Sequence, residues 1–317
     1  MTGPRPHVSA VIPVYNEEAN LPELNERMTK ALDGMGKSWE LVYVDDGSAD
    51  RSLELLSALS AKQPNIRVVE FNRNYGQHAA VFAGLAQTRG EIVVTLDADL
   101  QNPPEEVPKL VSKMEEGYDV VGSVRKNRQD PLFRRLASKL VNRLTRSGNR
   151  AAQGMTDYGC MLRAYSRNVV DQICQCKELS SFIPVLAMMY AKKTTEIPVD
   201  HAERARGTSK YGFLQLIKLQ MDLMTGFSFL PLRFLSWFGA FVAATGFALS
   251  VYILVMRLLK GDAYTQGGIF TLFAILYIMV GGLFIAMGIL GEYVGRIYGE
   301  VRQRPRYVVR KVHGDPE

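Results

Sequence analysis

Two stretches near the C-terminal end, Leu235 to Met256 and Gly268 to Gly291, contain no charged residue. A helix rises about 1.5 Å per residue, so each run is long enough to cross roughly 30 Å of hydrocarbon. A soluble domain does not carry two such segments on its surface, and they divide the chain before any finer reading. Arg204, Arg206, Lys210, Lys218 and Arg233 precede the first run and Arg296, Arg302, Arg304, Arg306, Arg310 and Lys311 follow the second, against only Arg257 and Lys260 between them. The positive-inside bias predicts two transmembrane helices, with both termini in the cytoplasm and a short hairpin outside. Met1 to Val8 is short and polar and leads into a strand-like segment, so no signal peptide is expected and the N-terminal part is predicted to be made in the cytoplasm.

Composition is needed only to sort partners. The mean hydropathy of -0.04 averages two unlike parts. A formal net charge of +6 would suit nucleic acid, but much of the excess flanks the apolar runs, where an anionic bilayer surface is the simpler partner, and no nucleic-acid binding is expected. Cys160, Cys174 and Cys176 are odd in number, and the last two lack the two-residue gap of common zinc or redox pairs. All three are expected as reduced thiols.

Up to about Ser228 the chain mixes charged and apolar residues as globular proteins do. Val8 to Val14, Leu41 to Val44, Val68 to Phe71, Ile92 to Leu96 and Val120 to Val124 are short, β-branched-rich runs that read as buried strands. Leu21 to Leu32, Ser52 to Ala61, His78 to Gln87 and Pro104 to Glu116 read as the helices between them. Alternation of this kind predicts an α/β fold with a mostly parallel sheet covered on both faces, and ligands bind such sheets beyond the carboxyl ends of the strands. Leu132 to Leu144 then puts Leu132, Phe133, Leu136, Leu140 and Leu144 on one helical face and Arg134, Arg135, Lys139 and Arg143 on the others. It reads as a helix lying in a membrane interface or as a basic helix packed on the core, and Tyr211 to Phe227 reads as a second such helix.

The expected strand ends carry Pro13-Val14-Tyr15-Asn16-Glu17, Asp45-Asp46-Gly47-Ser48 and Asp97-Ala98-Asp99-Leu100-Gln101. Crowded carboxylates raise one another's pKa unless a cation or hydrogen-bond donor sits among them. Asp97 and Asp99, two apart at a strand end, point the same way, and Mg2+ or Mn2+ takes one or two carboxylates with water and phosphate oxygens completing its shell; Gln101 would add a neutral oxygen. A phosphate-metal site implies a nucleotide, and there is no Gly-rich phosphate cradle of the Rossmann or P-loop kind. Asp45 or Asp46 would accept from a uracil N–H and Glu17 from ribose hydroxyls, although Asp45-Asp46-Gly47-Ser48 also satisfies ordinary turn chemistry. His78 and His201 have no second histidine at ligand spacing, and the glycines around Gly281-Gly282 and Gly288 to Gly295 suit close helix packing.

These three motifs, in this order, resemble the family 2 glycosyltransferases of GT-A fold, a Rossmann-like class. Asn72-Arg73-Asn74-Tyr75-Gly76-Gln77, the stretch Asp157 to Arg163, and Ser209-Lys210-Tyr211 ahead of two spans resemble the polyprenyl-phosphate glycosyltransferases within it, dolichyl-phosphate mannose synthases included. Asn72 to His78, Leu96 to Glu106, Gly117 to Asp130, Asp157 to Tyr165 and Leu290 to Tyr298 together resemble the bacterial members that load 4-deoxy-4-formamido-L-arabinose onto undecaprenyl phosphate, which serves lipid A modification and polymyxin resistance.

The resemblance implies a UDP-sugar donor, undecaprenyl phosphate as acceptor, the bacterial inner membrane as location and inversion at the anomeric carbon. Pro13, Tyr15, Glu17, Asp45, Asp46, Asp97, Ala98 and Asp99 would bind the nucleotide, and Asp97, Asp99 and Gln101 the metal. Asp157 matches the position assigned as base or acceptor orienter; a phosphate monoester with a second pKa of about 6 is already largely dianionic, so either role suits it. Arg128, Arg204 and Lys210 are the candidates for the acceptor phosphate. The implied division is a GT-A core over 1–130, an acceptor-side part over 131–228, two membrane helices over 229–295 and a cytoplasmic tail over 296–317. Rival readings are a glucosyl or related transferase on the same lipid, a catalytically silent lipid-binding scaffold, and a processive polysaccharide synthase, whose Gln-x-x-Arg-Trp motif is missing. A homo-tetramer, as some relatives form, is compatible with the chain.

Overall fold

The computed structural model describes residues 5–125, 160–176, 182–200, 230–260, 269–302 and 304–314. The expected interfacial helices Leu132 to Leu144 and Tyr211 to Phe227 lie outside these residues. The chain forms two compact units, one of residues 1–211 with 304–317 and one of residues 212–303.

In the first unit, strands β1 (Val8–Val14), β2 (Trp39–Asp45), β3 (Ile66–Phe71), β4 (Ile92–Thr95) and β5 (Val120–Arg125) fall where the apolar runs predict them, within a few residues at the ends. Every residue of β1, β3 and β4 is buried, as strands covered on both faces require. Helices α1 (Leu21–Asp33), α2 (Ser52–Lys62) and α3 (Gln77–Gln87) connect them. On α1 the buried Leu21, Leu24, Met28 and Leu32 recur at helical spacing and form the face turned to the core. The predicted helix Pro104 to Glu116 is instead a 3-10 turn over Pro104–Glu106 followed by α4 (Val107–Met114), because Pro108 is tolerated only in a first helical turn.

Beyond the expected elements come β6 (Arg163–Ser166), α5 (Arg167–Gln175), α6 (Ile183–Tyr190), β7 (Thr194–Val199) and, at the chain's end, β8 (Val309–His313). The eight strands run in the order β7-β5-β6-β4-β1-β2-β3-β8. Pairs β1 with β2, β1 with β4, β2 with β3 and β5 with β7 are parallel, whereas β6 opposes both β4 and β5, and β8 opposes β3. The chain winds outward from β1 through β2 to β3 and then crosses back to lay β4 on the other side of β1. That reversal opens a crevice at the carboxyl ends of β1 and β4, which is where ligands enter such sheets.

The second unit contains α7 (Leu230–Lys260) and α8 (Ile269–Val301). Two spans are expected from the charge-free runs; among the described residues one segment, Met279–Gly299, is long and apolar enough to cross a membrane, and Phe234–Ala248 is a shorter apolar stretch. The charge-free run on α7 is rich in Gly, Ala, Ser and Thr, so it lacks charge without being uniformly apolar. Large apolar side chains are exposed on both helices, among them Trp237, Phe241 and Phe247 on α7 and Leu283, Phe284 and Ile285 on α8.

Candidate functional site

The crevice is a cleft of about 380 Å³ lined by Pro13, Val14, Tyr15, Glu17, Asp46, Asn74, Gly76, Gln77, Asp97, Ala98, Asp99 and Gln101. Its walls are the segments that follow β1, β2, β3 and β4. Each is bent and tied by its own sequence.

After β1 the backbone turns at Asn16, whose φ of 55° is one that asparagine tolerates better than most residues. The Asn16 N–H donates to Ser48 Oγ at 3.0 Å and its Oδ1 accepts from the Ala49 N–H at 2.7 Å, so the exit of β1 is laced to the turn after β2. The Glu17 N–H donates to Ser52 Oγ at 3.0 Å, while its carboxylate accepts from Asn20 Nδ2 at 2.6 Å.

After β2 the two neighbouring aspartates take different places. Asp46 lines the cleft, and its two oxygens accept from the Tyr75 N–H at 2.7 Å and the Gly76 N–H at 2.9 Å, which fastens the loop following β3. Gly47, at φ 70°, lies so close to the Arg73 backbone that a side chain would collide with it. Asp45 is buried beneath the cleft and is not part of its lining. Its Oδ2 accepts from the Ser48 N–H at 3.2 Å, and its Oδ1 is buried with no partner among the described residues. Burial pushes both carboxyls above the ordinary aspartate range; the donors on each offset this in part, and Glu70 adds to the upward push on Asp45.

After β4 comes Asp97-Ala98-Asp99-Leu100-Gln101. Leu100 holds φ 59° with its side chain buried, an unfavourable conformation for a bulky residue that the apolar anchor maintains. The turn brings the Gln101 N–H to Asp99 Oδ1 at 3.2 Å, and Gln77 Nε2 donates to Asp97 Oδ1. Among the described residues no group of three or more His, Cys, Asp or Glu side chains gathers to hold a metal by itself. Asp97, Asp99 and Gln101 all line the cleft, two carboxylates and an amide with an oxygen to offer. That is the set Mg2+ or Mn2+ accepts when phosphate oxygens supply the rest.

Pro13, Tyr15, Glu17, Asp46, Asp97, Ala98, Asp99 and Gln101 thus meet in one cleft, with Asp45 under its floor. Asp157, Arg128, Arg204, Lys210 and His201 lie outside the described residues. His78 opens α3 but does not line the cleft. Its ring packs edge-on against Phe182 at 5.3 Å, its Nδ1 is buried without a partner among the described residues, and burial with the nearby Arg163 charge lowers its pKa. Cys160, Cys174 and Cys176 form no disulfide among the described residues. Asn74, Gly76 and Gln77 are cleft residues for which sequence reasoning assigned no role; the usable signal was that they directly follow a buried strand.

The model of the family described as glycosyl transferase family 2 matches residues 9–174. The undecaprenyl-phosphate 4-deoxy-4-formamido-L-arabinose transferase of Enterobacter sp. (strain 638) is 54% identical over 307 residues, covering 96% of this chain and 93% of the relative. Its namesake from Salmonella paratyphi B is 53% identical over 306 residues with the same coverage. Among solved structures, glucosyl-3-phosphoglycerate synthase from Mycobacterium tuberculosis, in complex with Mn2+, UDP-glucose and phosphoglyceric acid, superposes with a TM-score of 0.51 at 20% identity, over 70% of this chain and 78% of the other. That likeness is one of fold. With the family match running from β1 through β6 and over the cleft, and with relatives of this similarity along nearly the whole chain, the protein belongs to glycosyl transferase family 2.

Proposed function

We propose that the protein transfers 4-deoxy-4-formamido-L-arabinose from its UDP donor to undecaprenyl phosphate, with inversion, at the cytoplasmic face of a bacterial inner membrane, in the service of lipid A modification and polymyxin resistance. The observation that carries this reading is the identity of more than half over 96% of the chain to relatives named for that transfer. The carboxylate-lined cleft supports it from the chemical side.

In this reading Asp46 at the cleft wall accepts from the uracil N–H, with the buried Asp45 behind it, and Glu17 accepts from ribose hydroxyls. Pro13, Tyr15 and Ala98 provide the less polar surface for the base. Asp97, Asp99 and Gln101 would hold Mg2+ or Mn2+ against the donor diphosphate, where the ion supplies Lewis-acid neutralisation of the charge that builds on departing UDP, worth several kcal/mol. An oxygen of the lipid phosphate attacks the anomeric carbon from the face opposite UDP and the configuration inverts. Asp157 orients that phosphate or takes its remaining proton. Arg128, Arg204 and Lys210 offset its charge as it nears the donor, the arginines offering a fork that matches phosphate geometry.

Both C-terminal helices act as membrane anchors in this proposal. They are 31 and 33 residues long, and their exposed Phe, Trp, Leu and Ile side chains suit lipid better than water. Hydroxyls on α7 turn back into their own helix, Ser236 Oγ to the Leu232 carbonyl at 3.0 Å and Thr245 Oγ1 to the Phe241 carbonyl at 2.8 Å, as polar groups in hydrocarbon must. The deciding experiment offers the purified, detergent-solubilised protein undecaprenyl phosphate with Mn2+ or Mg2+ and, side by side, UDP-4-deoxy-4-formamido-L-arabinose and UDP-glucose. Lipid-linked product from the arabinose donor alone is expected. Product from UDP-glucose alone would keep the chemistry and overturn the sugar.

A further inference from the structure

Residues 304–314, close behind α8 in sequence, belong to the same compact unit as the sheet, and β8 lies antiparallel on β3 with Val69 opposite Val312, Glu70 opposite Lys311 and Phe71 opposite Val309. Arg306 Nη2 donates to the Cys176 carbonyl at 2.5 Å and its guanidinium sits 4.3 Å over the Phe82 ring. At the other end Arg310 Nη1 and His313 Nε2 reach the two oxygens of Glu70 at 3.1 and 3.0 Å.

Between these anchors the tail meets the loop that lines the cleft. The register of the β3–β8 pair shifts at Glu70/Phe71, the last residues before the loop, and a bulge of this kind bends its strand and re-aims the adjoining chain. The Asn72 N–H donates to the Val308 carbonyl at 3.3 Å, and Tyr307 stacks on Phe71 with centroids 5.1 Å apart and planes at 14°. Phe71 in turn meets Tyr75 edge-on at 5.6 Å, with the Arg73 guanidinium 4.2 Å over the Tyr75 ring. Tyr75 and Gly76 donate their N–H groups to Asp46, and Asn74 and Gly76 face the cleft. An unbroken series of contacts therefore runs from Tyr307 through Phe71 and Tyr75 to Asp46.

We propose that Tyr307, with the Val308 carbonyl, is a positioning residue for the donor site: the docked tail holds the loop 72–76 in the shape that binds a nucleoside diphosphate. This inference rests on the reading of the cleft as a UDP-sugar site. The loop sequence Asn-Arg-Asn-Tyr-Gly has little apolar surface of its own, and Gly76 sits at φ 95°, so its order must be imposed by neighbours. A plain edge cover for β3 would protect the sheet without altering nucleotide affinity.

The test compares full-length wild type, Tyr307→Ala and Tyr307→Phe in detergent, measuring UDP affinity in Mn2+, hydrogen exchange at Tyr75 and Gly76, and thermal midpoint. One aromatic pair corresponds to a factor of about two to ten in an equilibrium. Tyr307→Ala should weaken UDP by about that factor and speed exchange at both amides, with the midpoint held within a few degrees, and Tyr307→Phe should restore both. Unchanged UDP affinity in Tyr307→Ala, or equal losses in the Phe variant, would overturn the inference. Should wild type fail to bind UDP while exchange at Tyr75 and Gly76 still responds to Tyr307→Ala, the donor reading falls and the positioning of the loop by the tail stands.

Discussion

At the amino-terminal end of the sheet Glu40 is 2% exposed, yet its oxygens accept from Ser9 Oγ at 2.6 Å, from Arg67 Nη2 at 2.8 Å, and from the Arg89 N–H and Nε at 2.6 and 3.0 Å. At the carboxyl-terminal end of the same strand Asp45 is 1% exposed, and one of its oxygens has no partner among the described residues. Burial raises both carboxyls. Around Glu40 the hydroxyl, backbone and guanidinium donors win, so its pKa falls below the ordinary glutamate range; around Asp45 and Asp46 burial wins and the pKa rises. One end of β2 is compensated by the protein's own donors, and the other, beside the cleft, is compensated only in part.

That contrast can be broken at either end. Glu40→Ala should have the largest effect on stability, because it removes the carboxylate that pairs with Arg67 at 2.8 Å, a side chain only 5% exposed; removal of one partner from a buried pair costs about 3 to 5 kcal/mol. Urea or thermal melts would check this, and transfer per folded molecule should be unchanged. As the lowered pKa of Glu40 requires, its contribution is present above the unfolded glutamate pKa and lost as pH falls through the folded value. Asp99→Ala should do the reverse, lowering transfer by about a hundredfold or more while the melt stays near wild type. Transfer at wild-type rates in a Mn2+ titration of Asp99→Ala would remove it from the metal role.

The cleft end of the sheet was legible in the sequence for a physical reason. β1 and β4 are almost wholly apolar, and β3 keeps Val68 and Val69 together despite Arg67 and Glu70, so these strands could be placed and Tyr15, Asn72 and Asp97 open the segments that follow them. The strands that escaped reading break that pattern. β6 opens with Arg163, a charged residue that is 1% exposed; β7 contains Glu196 and Pro198; and β8 reads Val-Arg-Lys-Val-His, the charge-laden composition of an edge strand. The difference between Asp45 and Asp46 was also hidden, since one residue of strand length decides which side chain lies under the cleft and which lines it. Glu40, just ahead of the expected strand Leu41 to Val44, carried no expectation, because its partners Ser9, Arg67 and Arg89 come from distant segments. The residues expected at the acceptor side, Asp157 among them, lie outside the described residues.

The smallest effect gives the sharpest comparison. Asp45→Asn keeps the size of a side chain whose charge is disfavoured by burial and by Glu70, and it leaves an oxygen to accept from Ser48. A carboxyl whose folded pKa is raised contributes stability that is complete below its unfolded pKa and is lost as pH rises through the folded value, so at neutral pH the wild-type charge works against the fold. Asp45→Asn should therefore raise the ligand-free thermal midpoint at neutral pH by about 2 °C, with the difference from wild type shrinking as the pH approaches 4. The same substitution should weaken UDP in the presence of Mn2+, because the negative charge behind Asp46 favours the cation that offsets the diphosphate. A variant less stable than wild type at neutral pH would mean that Asp45 is neutralised within the protein, as Glu40 is, and the contrast between the two ends of β2 would be lost.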